Sequence, residues 1–234
     1  HLPSGDIERN RQQHIHCPCV DDLISFQKQI FYTQPLGFNE KSGGCFYRVC
    51  YPKNTNEGGI QENIVLALEE YDLSDKQCKA RYGALRSTAS SYKGELTGSD
   101  KHLSFFLEGK PNAEHIHVFE SAIDLLSFAT LALLAGCDWK SETYLSLAGV
   151  FQTKRENVVP VALSRFLDEH PSVRKIHLHL DNDAVGRGAV KGIVGGLQGK
   201  YQVYDEPPSR GKDVNDELKI RVGLMRERKE RERT

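Results

Sequence analysis

Ile176-His-Leu-His-Leu-Asp-Asn-Asp183 decides how this chain is read. Apolar Ile176, Leu178 and Leu180 alternate with His177 and His179, the period-two pattern of a β-strand. The run then breaks into Asp181 and Asp183. A second stretch repeats the plan: His115-Ile-His-Val-Phe119 runs into Glu120. In open parallel α/β sheets, ligands bind beyond the carboxyl ends of the strands. Three acids meeting there offer the oxygen ligands that Mg²⁺, a hard cation, prefers. Divalent metal held by carboxylates is an apparatus for phosphoryl transfer. The four histidines of these runs are assigned to the opposite sheet face rather than to a metal.

Working outward, strands and helices alternate from His115 onward. A helix is expected near 121–135, where Ile123, Leu126, Thr130 and Leu133 share a face. Tyr144-Leu-Ser-Leu147 reads as a strand ending in Ala148-Gly149. Helices are expected near 158–168, stopping before Pro171, and near 184–198; Tyr201-Gln-Val-Tyr204 closes the series. This pattern implies an α/β fold, an about four-stranded parallel sheet flanked by helices, over residues 113–218. Residues 1–112 read as a smaller N-terminal α+β subdomain. Within it, Ile64–Leu68 and Ala80–Leu85 form a hairpin around a turn at Asp72–Asp75, and Ser104–Leu107 is a short strand. Residues 87–100 read as a loop exposing basic side chains. Further upstream, Val20–Ile30 has helical spacing, and Gln34–Gln61 reads as irregular with a short strand at Cys45–Cys50. Residues 219–234 read as a charged C-terminal helix. That ending, and a start without Met, suggest a piece of a larger protein.

The 234 residues, 38% hydrophobic and 27% charged with a net charge of −1, describe a globular chain. No apolar run approaches the roughly 18 residues of a membrane span, and no signal peptide is evident. A cytoplasmic location and no membrane partner are expected. Charge distribution says more than the sum. Between Lys76 and Lys101, the bases Lys76, Lys79, Arg81, Arg86, Lys93 and Lys101 face the acids Glu95 and Asp100. His14, His16, Cys17, Cys19, Cys45 and Cys50 are of zinc-ligand type. Their C-x-C and C-x4-C spacings differ from the usual C-x2-C knuckle, so reduced thiols are the expected state and zinc the lesser reading.

The ordered set Val118-Phe-Glu120-Ser-Ala-Ile-Asp124, Leu147-Ala-Gly149 and Leu180-Asp-Asn-Asp-Ala-Val-Gly186 resembles the TOPRIM domain of bacterial-type primases, topoisomerases and nucleases. Glu120-x3-Asp124 and the late Gly211-Lys-Asp-Val-Asn-Asp216 resemble the primase branch. Arg81-Tyr-Gly-Ala-Leu-Arg-Ser-Thr88, Lys93-Gly94, Gly98-Ser-Asp-Lys101 and Phe119–Phe128 look like primase-like Toprim proteins of plasmids and integrative conjugative elements. The resemblance covers roughly residues 63–218. It implies catalytic roles for Glu120, Asp181 and Asp183, and metal ligation by these three together with Asp124 and Asp213. The cofactor implied is Mg²⁺, with Mn²⁺ able to substitute. Asn215 stands where primases carry another acid, which weakens second-metal binding. Clustered carboxylates should be strained without their cation.

The same resemblance implies nucleic-acid or nucleotide contacts at Arg81, Arg86, Lys93, Lys101, Gly149 and Lys212. The expected partners are a single-stranded DNA template and nucleoside triphosphates, with helicase or relaxase domains of a parent protein. The expected activity is primase-like nucleotidyl transfer in mobile-element DNA replication or transfer. The alternatives are a Toprim phosphodiesterase using the same acids and a non-catalytic DNA-binding module. Gly192, Gly195 and Gly196 are assigned to helix–sheet packing.

Overall fold

A computed structural model describes the backbone of residues 45–50, 63–72, 77–87, 93–150 and 157–227. Side chains are described for 81–85, 93–150 and 157–227. The expected helix at Val20–Ile30, the irregular stretch and the zinc-type set of His14, His16, Cys17 and Cys19 lie outside the described residues. So do the side chains of Cys45 and Cys50.

Two sheets organise the chain. Strands β1 (Cys45–Cys50), β2 (Asn63–Asp72), β3 (Gln77–Ser87) and β4 (Lys93–Glu95) form an antiparallel sheet in that order. The β2–β3 hairpin runs from Asn63 opposite Ser87 to Asp72 opposite Gln77, with a bulge between Leu68 and Glu69. Part of the basic 87–100 stretch is strand rather than loop. Glu95, Gly94 and Lys93 pair with Ala84, Leu85 and Arg86, because the hairpin edge offers them open backbone groups.

The second sheet contains β5 (Phe106–Leu107), β6 (His115–Phe119), β7 (Thr143–Ser146), β8 (Lys175–His179) and β9 (Gln202–Asp205), ordered β5-β7-β6-β8-β9. The last four of that order are parallel neighbours, as the alternation of strands and helices implies. The fifth strand extends the expected sheet. Phe106 and Leu107 pair antiparallel to Leu145 and Tyr144 and close one edge.

β6 and β8 lie side by side in register: Ile116 beside Ile176, His117 beside His177, Val118 beside Leu178, Phe119 beside His179. Their alternation therefore makes two layers. Ile116, Val118, Ile176 and Leu178 are fully buried against helices α2 (Val161–Glu169) and α3 (Ala184–Leu197), through Leu163, Phe166, Val190 and Ile193. Full burial of each such side chain contributes about 1.5–3 kcal/mol. α3 approaches closely because Gly195 and Gly196 leave room for Asn157 and Val159, where a Cβ would collide. Helix α1 (Ala122–Leu134) packs on the other face with Phe128, and helix α4 (Val214–Arg221) packs on α1. α4 ends at Val222, and Gly223 with φ +80° turns the chain, so the charged tail does not continue one helix through 219–227. Among the described residues no helix is long and apolar enough to cross a membrane.

The histidines build the second layer. His115, His117, His177 and His179 stack across β6 and β8, with ring centroids 4.8–5.3 Å apart. His179 Nδ1 lies 3.0 Å from the Glu206 carbonyl and must carry the proton there. Its Nε2 is then the acceptor for His117 Nδ1, 2.8 Å away. Burial is the largest cause holding His117 down to about 3 and His179 down to about 4. Both rings are thus packed as neutral aromatics.

Between pH 6.5 and those values the unfolded chain takes up protons that the folded chain refuses, so stability falls as pH falls through that window. His117→Phe removes one such group. Urea unfolding at pH 7.5 and pH 5 should show the variant gaining about 2 kcal/mol on wild type as pH drops. An unchanged difference would contradict the neutral packing of His117.

Candidate functional site

Each acidic motif stands where a parallel strand hands over to a helix. Glu120 follows β6, and Ser121 caps α1. Asp181 follows β8, and Asp183 caps α3 by accepting from the amides of Val185 (3.0 Å) and Gly186 (2.9 Å). Asp213 caps α4, accepting from the Asp216 amide at 2.7 Å. A cap residue is extended and its side chain turns back to the helix start. That geometry brings three chain segments to one end of the sheet.

Asp181 and Asp183 converge just beyond the end of β8. β8 ends at His179, and the two carboxylates meet at the Lys212 ammonium, whose Nζ lies 3.0 Å from Oδ2 of each. Asp183 is held below the usual carboxylate range, first by the Gly186 amide and then by Lys212. The two aspartates in turn raise Lys212.

Glu120 has no such support. Its Oε2 is buried and has no hydrogen-bond partner. Burial pushes its carboxyl up to about 7, and the charges of Asp181, Asp183 and Asp124 push the same way, against Lys212. A buried acceptor left unpaired costs roughly 1–3 kcal/mol.

Asp124 is 6% exposed and braced. Its Oδ2 accepts from Ser121 Oγ at 2.5 Å, while Ser121 Oγ accepts from the Asp124 amide at 3.3 Å. Its Oδ1 accepts from the Asn215 amide at 3.2 Å. Burial lifts its carboxyl to about 6, which the Ser121 hydrogen bond opposes. Asn215 Oδ1 in turn accepts from Ser127 Oγ at 3.3 Å. Oδ1 of Asp124 thus joins α1 to α4, while Oδ2 closes the cap of α1 itself. Asp213 is raised, mainly by burial.

These groups face a groove of about 520 Å³ lined by Glu120, Asp124, Gly149, Asp181, Lys212 and Asp213, with Lys93, Tyr82 and Ala84 from the antiparallel sheet opposite. Gly149, with φ +87°, donates its amide to the Glu120 carbonyl at 2.8 Å. A Cβ there would meet nothing, so the backbone conformation itself favours glycine. Arg81 and Lys101 stand apart from this lining and pair with Asp100 (3.7 Å) and Glu95 (3.3 Å). Arg86 lies on β3, and its side chain is outside the described residues.

Two positions were not singled out from sequence for the parts they play here. Arg187 donates to the carbonyls of Leu180 (2.7 Å) and Asp181 (3.2 Å) and pairs with Asp205 at 2.6 Å, clamping the Asp181 turn. Gly186 lies so close to the Asp181 carbonyl that a Cβ would collide with it. The signal for both is local: they stand one turn into the helix that the Asp183 cap begins.

Among the described residues no three Asp, Glu, His or Cys side chains already stand at metal-ligating spacing. The donor set nevertheless suits a hard cation. It has a carboxylate oxygen without a partner, two further carboxylates turned toward one point, and a positive charge at that point.

Residues 117–218 match the Toprim-like family model. The fold of residues 106–218, a mostly parallel five-stranded sheet between helices, is consistent with that match. The crystal structure of the primase fragment of the bacteriophage T7 primase-helicase protein aligns at TM-score 0.40 and 15% identity, over 94% of this chain and 81% of that one. A structure of bacteriophage T7 lagging-strand DNA polymerase interacting with primase domains of two gp4 subunits, bound to an RNA/DNA hybrid and dTTP, aligns at 0.41 and 16%, over 82% and 92%. No curated protein matches the sequence.

The raised carboxyl of Glu120 gives the metal-free protein a measurable pH signature. Between 4.5 and about 7 the folded chain keeps a proton that the unfolded chain has lost, so stability falls as pH rises through that window. Glu120→Gln should remove this loss. In chelator at pH 8 it should be more stable than wild type by roughly 1–2 kcal/mol, discounted for partial solvent screening, and show no such gain at pH 4.5. Urea unfolding at the two pH values decides it.

Proposed function

We propose that this chain is a divalent-metal-dependent Toprim protein that acts on nucleic acid by primase-like nucleotidyl transfer. The observation that carries the proposal is the partnerless buried Oε2 of Glu120 beside the converged Asp181 and Asp183, in a groove that Lys93 also lines. Crowded acids at the carboxyl ends of parallel strands make sense when a cation completes them. Asp181 and Asp183 would hold Mg²⁺, with Mn²⁺ as a substitute, and Glu120 would complete the set. When bound, such an ion supplies charge neutralisation at phosphate oxygens and helps activate an attacking oxygen.

The remaining roles belong to the chain. Glu120, at the rim of that set, would accept the proton of an attacking hydroxyl. Asp124 keeps Ser121 and Asn215 in place and so fixes where α1 and α4 present Glu120 and Asp213. Lys93 and Lys212 face phosphate oxygens across the groove, and Gly149 leaves its floor open. Arg81, Arg86 and Lys101 would contact the strand leading into the groove through its backbone phosphates. The fit to primases rests on Glu120-x3-Asp124 and on Gly211-Lys-Asp213.

Phosphodiester cleavage by the same acids is the second reading. Asn215 favours it: an amide stands where primases carry an acid, and its oxygen is engaged by Ser127, which works against a second ion.

Incubation with nucleoside triphosphates, single-stranded DNA template and Mg²⁺ or Mn²⁺ should yield short primers. Glu120→Gln and Asp181→Asn should each lower the rate about 100-fold or more. Strand cleavage sensitive to the same substitutions, without synthesis, would replace the first reading with the second. Nucleic-acid binding unaffected by chelator or by either substitution, with no turnover, would reduce the chain to a binding module.

A further inference from the structure

We propose that Lys212 is the resident cation of this site and that a divalent ion enters by exchange with its ammonium. The inference rests on the metal-site reading above and adds a competitor to it. Lys212 Nζ stands 3.0 Å from Asp181 Oδ2 and 3.0 Å from Asp183 Oδ2, the point on which two of the three acids converge. It brings one positive charge to a meeting of three carboxyl groups and leaves Glu120 Oε2 without a partner. A divalent ion brings two charges and can engage all three.

The backbone and the side chain of Lys212 are held very differently. Its carbonyl accepts from the Asn182 amide at 2.7 Å, and its amide donates to Asp216 Oδ2 at 3.3 Å. Gly211 has φ +77° and lies against the Asp216 side chain, where a Cβ would collide. The loop is therefore pinned both to the Asp181-Asn182-Asp183 turn and to α4. The side chain, by contrast, is 54% exposed, so it can leave the carboxylates without unpacking anything. Lys212 is thus a tethered counter-ion. It relieves repulsion while the site lacks metal, and its displaced ammonium stays beside the groove it lines, within reach of an incoming phosphate. The ion exchange is complete in itself and breaks no covalent bond.

Mn²⁺ alone tests this on the full chain, with binding read by electron paramagnetic resonance and by thermal unfolding in chelator and in saturating Mn²⁺. Loss of a merely structural lysine would weaken Mn²⁺ binding. Loss of a competing cation should tighten it. Lys212→Met should bind Mn²⁺ about tenfold more tightly than wild type, the lower end for a hydrogen bond to a charged group. Its midpoint should lie below wild type in chelator and converge with it in saturating Mn²⁺, because the lysine contact is absent from the metal-bound state. Lys212→Arg keeps the charge and should bind no more tightly than wild type. If Lys212→Met is unfolded in chelator, recovery by Mn²⁺ supports the exchange and failure to recover overturns it. Equal or weaker binding by Lys212→Met, or a midpoint gap that persists in Mn²⁺, also overturns it. Asp181→Asn separates the two levels. If it binds Mn²⁺ as wild type does, the metal-site reading itself fails; if it does not bind while Lys212→Met stays at wild-type affinity, only the exchange fails.

Discussion

Repulsion among carboxylates at one end of a parallel sheet is the constraint around which the described structure is arranged. Glu120, Asp124, Asp181 and Asp213 all face one groove, and Asp183 adjoins it. Each is accommodated by different chemistry. Asp183 and Asp213 turn toward helix amides, Asp124 is held by a hydroxyl and an amide, and Asp181 shares an ammonium with Asp183. Glu120 Oε2 lacks such a partner, and its carboxyl is correspondingly raised. Asp124 and Asp213 have oxygens committed to helix starts, Asp181 and Asp183 share the Lys212 ammonium, and Glu120 Oε2 has no hydrogen-bond partner.

The two faces of the sheet solve different problems with one sequence device. Alternation in β6 and β8 puts branched aliphatics on one side, where α2 and α3 bury them, and imidazoles on the other, where they stack as neutral rings. Aromatic stacking and the chain of ring hydrogen bonds make that layer compatible with burial as long as the rings stay uncharged. The strands that deliver Glu120 and Asp181 are therefore held from both sides. That rigidity matters at their ends, where like charges would otherwise spread apart.

Much of this arrangement was legible in the chain. His115–Phe119 and Lys175–His179 alternate cleanly and are bounded by turn residues, so the strands and the acids that follow them could be placed from spacing alone. The order Glu120, Gly149, Asp181-x-Asp183 carried the Toprim resemblance that the 117–218 match supports at the level of the domain. Other features were not legible, for identifiable reasons. Lys93–Glu95 has loop composition and becomes a strand because β3 offers it an edge. Arg187 reads as an ordinary helix residue until the turn it clamps is folded around it. The bond between Asp124 and Asn215 spans 91 residues of sequence, which no local pattern reports.

By itself, the sequence determined the alternation of strands and helices, the position of each acid at a strand end and the sorting of aliphatic from imidazole faces. All of these follow from local periodicity and turn chemistry, which act over a few residues. The tertiary structure alone decided which acids are braced and which is left without a partner, that Lys212 sits between Asp181 and Asp183, and that Lys93 lines the same groove. Those relations depend on long-range approach, where burial and the nearest charge set the state of each group.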